Sequence, residues 1–205
     1  MERLSQSPVA AFIPWIIFWV VADSRSTWEY GAIGALIASL VLLVPELRKR
    51  DVKMLEAATV VFFAAMTIAG IVVSPHDGEW LDRWANTISS GALGVLVLVT
   101  LPFKPFTEPY AREQTPPEMW NTPEFRRTNR VITLVWGGVF VATAILGAIA
   151  VESPSSSDWT NWILPIALIV VGFKFTARYP EVVRERARRK AAGSHGEAPQ
   201  PARAR

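Results

Sequence analysis

Six apolar stretches, at about 8–22, 30–44, 54–73, 85–103, 131–151 and 159–175, constrain this chain more than any other feature. A soluble domain spreads its apolar residues at helix or strand period. Here they stand in solid blocks; the fifth, VITLVWGGVFVATAILGAIAV, has no charge. A bilayer core is crossed by a helix of about 20 apolar residues, within a range of about 17–25. The third and fifth blocks meet that length outright, while the first, second and sixth are short. The expected fold is all-α: an integral membrane bundle of six transmembrane helices. Residues 1–179 form the embedded domain, and 180–205 form a basic, partly disordered tail.

Charge supports the same threading. Cytoplasmic loops collect Lys and Arg, and exported loops do not. With six spans, all of the 21 basic residues except Arg25 and Arg83 fall on one side. Removing any one middle span mixes the two sets. The distribution predicts a multi-pass inner-membrane protein with both termini in the cytoplasm. A competing parse remains open: Val20-Val21-Ala22 before Asp23 has the small residues of a signal-peptidase site, and cleavage there leaves five spans.

The outer loops hold Trp28, Trp80, Trp84, Trp159 and Trp162. Amphipathic rings favour the headgroup level, so these five are expected to be interfacial anchors. The loops read ADSRSTWEYG, SPHDGEWLDRW and SPSSSDWTNW, each with an acidic residue near a tryptophan. The inner ends of the even spans each carry Pro, a carboxylate and Arg. Three related hairpins around one axis would give this pattern. So would the common demands of belt and charge on any hairpins.

The longest connection, 104–130, bears helix-start signals: Thr115-Pro116-Pro117-Glu118 and Thr122-Pro123-Glu124. Thr at the N-cap, Pro in the first turn and Glu just after it mark helix starts. A short interfacial helix is expected near Pro116. The fifth span is expected to begin at Pro123, before the bilayer. Arg126, Arg127 and Arg130 would then meet anionic headgroups, at about 1 kcal/mol each. EVVRERARRK after Pro180 predicts a surface helix, followed by a disordered AAGSHGEAPQPARAR.

Two ionisable residues lie near span ends. Glu56 starts the third span and Lys174 ends the sixth, at similar shallow depth, so the two are candidates to pair. Separately, Lys174 would reach the interface by snorkelling, and Glu56 would meet a helix N-terminus. Thr59, Thr67, Ser89, Ser90 and Thr143, with Gly91, Gly94, Gly137, Gly138 and Gly147, suit close helix packing.

Chemistry is sparse. The chain has no cysteine and two histidines, His76 and His195. No thiol chemistry or histidine metal centre is expected, and no cofactor. No metalloprotease, nucleophile-elbow, phosphate-loop or dinucleotide motif occurs. Carboxylates at Glu108, Glu113, Glu118 and Glu124 could furnish an acid–base pair for lipid chemistry, though no spacing requires it. Membrane threading accounts for the positive charge without nucleic acid.

The segments PFTEPYARE and PPEMWNTPEFRRTNRVITLVWGGVF resemble those of uncharacterised bacterial multi-pass membrane proteins. The placement of Trp120, Asn129 and Trp136 is similar to that in the intracellular septation protein A family. That likeness implies a small inner-membrane protein associated with the envelope. The expected function is non-enzymatic: lipid and protein contacts in envelope or septum maintenance, alone or as a homo-oligomer. The alternative is a small transporter or channel. The contact residues singled out are Glu56, Lys174, Glu108, Arg112, Trp120, Arg126, Arg127, Asn129 and Arg130.

Overall fold

A computed structural model describes residues 10–22, 27–50, 52–73, 75–153 and 159–195. Among these residues every regular element is a helix, as the apolar blocks predict. The helices are α1 (Ile13–Val21), α2 (Trp28–Lys49), α3 (Met54–Val72), α4 (Pro75–Val99), α5 (Glu108–Glu113), α6 (Pro123–Glu152) and α7 (Leu164–His195). A 3-10 turn, Ala10–Phe12, leads into α1, and a π turn, Trp159–Ile163, leads into α7.

By length and composition, three helices can cross a membrane: α2 as far as Arg48, α3 and α6. The α1 segment, Ala10–Val21, is apolar but shorter. At 1.5 Å per residue it reaches only about 18 Å. The described residues thus contain three strongly apolar long helices.

Several boundaries differ from the sequence expectation for local reasons. The segment SPHDGEWLDRW, expected as an outer loop, is helical from Pro75 onward. Pro in the first turn with Asp77 and Glu79 close behind is a helix-start signal. At its other end α4 stops at Val99, not 103. The Thr100 hydroxyl donates to Val97 O at 2.6 Å and accepts from the Phe106 amide at 3.0 Å, turning the chain ahead of Pro102 and Pro105. Pro117–Met119 is a single 3-10 turn rather than the start of a helix. The short helix of this connection is α5 instead. Pro123 begins α6 as expected: the Thr122 side chain caps it, accepting from the Phe125 amide at 3.3 Å. Past Pro180, α7 runs on to His195. Residues 23–26, 154–158 and 196–205, which include the exported-loop Arg25, the serines of the third loop and the end of the tail, lie outside the described residues.

The short α1 organises the core. Phe12 packs on Phe106, Trp136 and Phe140 with ring centroids 5.4–5.9 Å apart. Trp15 packs on Phe62 and Phe63, and Phe18 on Phe63. Trp19 reaches Phe140 and donates its Nε1–H to Ser89 Oγ at 2.9 Å. Trp15 Nε1 donates to Thr59 Oγ1 at 3.1 Å, and Trp136 Nε1 to Thr176 Oγ1 at 2.9 Å. Each indole thereby satisfies its one donor, with the Trp15 and Trp136 rings buried and Trp19 partly so.

The most extensive helix pair is α4 with α6, followed by α1–α2, α2–α3 and α6–α7. The middle pair, α3 and α4, touches only sparsely, so consecutive spans do not pack as three equivalent hairpins. Small residues explain the α4–α6 contact. A methyl on Gly94 would lie 3.2 Å from the Val141 backbone N, one on Gly147 2.6 Å from Thr87 Oγ1, and one on Gly137 would strike Leu98. Gly138, grouped with them from the sequence, faces open space.

Of the expected interfacial tryptophans, Trp80, Trp159 and Trp162 are exposed, and Trp84 is half-buried against Trp80. Trp28 is buried instead. Its indole fills the space left by Gly70 of α3.

Candidate functional site

The end of α2, the start of α3, α5 and the start of α6 meet at the basic end of the bundle. Arg50 ends α2 in the left-handed conformation, φ 54°, with its amide bonded to the last turn. This sharp stop brings Lys53, just before α3, under the neighbouring helices. Its side chain is only 3% exposed, and its Nζ lies 3.3 Å from Glu113, 3.7 Å from Glu56 and 4.0 Å from Glu46. It also sits 4.4 Å from the centroid of the Tyr110 ring, a cation–π distance.

One buried ammonium is therefore shared by three carboxylates. None of the three contacts has hydrogen-bond geometry at Nζ, and Glu56 Oε2 is also unpaired. Proximity, not directed bonding, holds the cluster. Such a group is costly to desolvate and costlier to break, because removing one partner strands the other charges. The Tyr110 hydroxyl donates to Glu56 Oε1 at a long 3.4 Å. Burial first, and the Glu56 carboxylate second, push the Tyr110 hydroxyl above its ordinary range, so it remains a protonated donor.

A second group borders the first. Arg112 Nη2 donates to Glu108 Oε1 at 2.6 Å, one turn back on α5, and the guanidinium stacks 5.1 Å from the Trp120 ring. Trp120 Nε1 donates to Thr115 O at 2.8 Å, fixing the loop before α6. Deeper in, Asn129 is 2% exposed; its Nδ2 donates to Phe125 O at 2.9 Å. Its backbone carbonyl accepts from Thr107 Oγ1 at 3.1 Å, and Thr107 and Thr133 share a 3.0 Å hydroxyl contact. These bonds tie the α4–α5 connection to α6.

A cavity of about 590 Å³ opens between α5, α6 and α7. Phe12, Phe106, Phe125, Ile132 and Trp136 form its buried floor. Gln114, Glu124, Glu181 and Arg184 are exposed around its mouth.

The structure gathers most of the contact residues chosen from sequence at this one end. Glu56, Glu108, Arg112, Trp120 and Asn129 are all engaged there. Arg126, Arg127 and Arg130 are exposed on the first turns of α6, and Arg126 donates to Asn121 Oδ1 at 3.2 Å. Lys174 is exposed on α7, and Glu56 pairs with Lys53 rather than with Lys174. The i,i+3 spacing of Lys53 and Glu56 was the available signal for that pair. In the sequence Lys53 stands out only as one of the basic residues that share a side with the termini. Glu46, Tyr110 and Glu113 were missed as partners, since their convergence depends on how α5 folds back.

No family model matches the chain, and no solved structure matches it. It is 24% identical over 169 residues to the inner membrane-spanning protein YciB of Psychromonas ingrahamii, an alignment covering 80% of this chain and 82% of that protein. The apolar helices and this similarity together support an all-helical membrane protein.

Proposed function

We propose that the chain crosses the inner membrane six times with both termini in the cytoplasm. In this reading it acts without catalysis, through lipid and protein contacts at its basic end, in upkeep of the envelope or septum. One observation carries the reading: the helices enclose an apolar core and are apolar on their outer faces as well. The outer faces of the helices expose large apolar side chains such as Ile37, Val41, Val61, Ile71, Val95 and Ile145. The interior pairs indoles with hydroxyls. An apolar exterior of this extent needs lipid or partner helices to cover it. The exposed Arg126, Arg127 and Arg130 suit anionic headgroups, and the name of the similar protein fits the inner membrane. The similarity in placement of Trp120, Asn129 and Trp136 to the septation family supports the envelope role.

Reporter fusions test the threading. A reporter after residue 50 or 205 should be active only as a cytoplasmic enzyme, and one near residue 25 or 83 only as an exported one. The opposite pattern at residue 50 refutes the topology. Co-purification from native membranes should return envelope proteins or a second copy of the chain. The second reading, transport of a solute, is favoured by the Lys53 cluster, because buried charged groups in membrane proteins often mark ion paths. Proteoliposomes with no solute- or proton-dependent flux favour the first reading; robust flux replaces it with the second.

A further inference from the structure

The cavity at the basic end has an amphiphile's shape. Its floor is aromatic and buried, while its mouth carries two carboxylates, Glu124 and Glu181, and one guanidinium, Arg184. None of these three forms an ion pair or side-chain hydrogen bond among the described residues. Glu181 and Arg184 lie one turn apart on α7, and Glu124 stands across from them in the first turn of α6. The volume of about 590 Å³ falls within the roughly 300–1,000 Å³ typical of small-ligand sites.

We propose that this cavity holds one chain of a zwitterionic phospholipid whose headgroup bears a primary ammonium. The acyl chain lies on Phe106, Phe125 and Trp136. The ammonium donates to Glu124 and Glu181, and the phosphate accepts from Arg184. Charge at the mouth selects the headgroup. Two carboxylates repel an anionic lipid, and a quaternary ammonium has no N–H to donate to them. The assignment rests on the membrane reading above but not on which face the basic end occupies.

The test uses the full chain purified in detergent and exposed to equal amounts of phosphatidylethanolamine, phosphatidylcholine and phosphatidylglycerol. Native mass spectrometry reads the bound lipid. In a chain carrying Arg126→Gln, Arg127→Gln and Arg130→Gln, which removes the anionic-headgroup contacts outside the cavity, phosphatidylethanolamine should exceed each of the others by about tenfold, the ratio set by one charge-assisted contact. Glu124→Gln with Glu181→Gln, both exposed positions, should abolish that preference. Ala177→Trp, at an exposed wall position, should lower occupancy by all three lipids. A phosphatidylethanolamine with a photoreactive acyl chain should label Phe106, Phe125 or their neighbours in the unmodified chain. In the arginine-substituted chain, equal binding of the three lipids or preference for phosphatidylglycerol overturns the proposal, as does labelling confined to the outer faces of α2 and α3 in the unmodified chain. Reporter fusions read the topology separately, so a chain threaded the other way would still bind the lipid in detergent.

Discussion

Lys53 carries more of the basic end than any neighbour, because three carboxylates depend on it. Replacing it with Met should cost about 3–5 kcal/mol, the usual result of stranding buried charge. Thermal unfolding in detergent measures the loss. Adding Glu46→Gln and Glu56→Gln to Lys53→Met should recover most of it, since neutral amides need no counter-charge. Failure of that triple variant to recover would mean that Lys53 acts through packing. Tyr110 gives a pH signature. Its hydroxyl is held protonated in the folded state, so the contribution to stability is complete below the ordinary tyrosine value of 10.0 and is lost as pH rises above it. Tyr110→Phe should flatten the alkaline fall in unfolding temperature while costing only about 0.5–1.5 kcal/mol at neutral pH. The Lys53–Glu56 spacing was visible in the sequence. Glu113 and Tyr110 were not, because their approach depends on the turn at Thr100 and the short helix after it.

Among the elements, α1 and the α4–α6 pair make the sharpest claims. α1 and the 3-10 turn before it are shorter than the other apolar helices, yet Phe12, Trp15, Phe18 and Trp19 touch α3, α4, α6 and the α4–α5 connection. Trp15→Ala should therefore destabilise by about 3–5 kcal/mol, with loss of monodisperse elution. Trp15→Phe should cost less, losing mainly the bond to Thr59. Such central packing also argues that residues 10–22 belong to the working protein, and intact mass of the membrane-extracted chain checks this. At the α4–α6 contact, Gly94→Leu forces a side chain against the Val141 backbone and should destabilise by at least about 1–3 kcal/mol. Gly138→Ala, facing open space, should be tolerated in the same assay. The glycines were legible as packing residues, but which of them face a partner was not. Helical phase within an apolar block is invisible when every face is apolar. For the same reason the sequence points to Trp28 as a surface anchor: nothing in WEYG reveals that Gly70 lies opposite.

For the whole molecule, the apolar blocks and the clustering of basic residues anticipated an all-helical chain with one charged end. They overstated regularity. Equal hairpins would pack each span on its successor, whereas α4 leaves α3 for α6. Composition alone cannot specify that exchange, since the choice lies in where Gly94, Gly137 and Gly147 fall around their helices. The length of α7 has a consequence. Its 32 residues extend about 48 Å, against a hydrocarbon thickness of about 30 Å. On the proposed threading, the arginines that follow Pro180 on this helix would lie beyond the hydrocarbon, where water and headgroups solvate charges that the bilayer core would not.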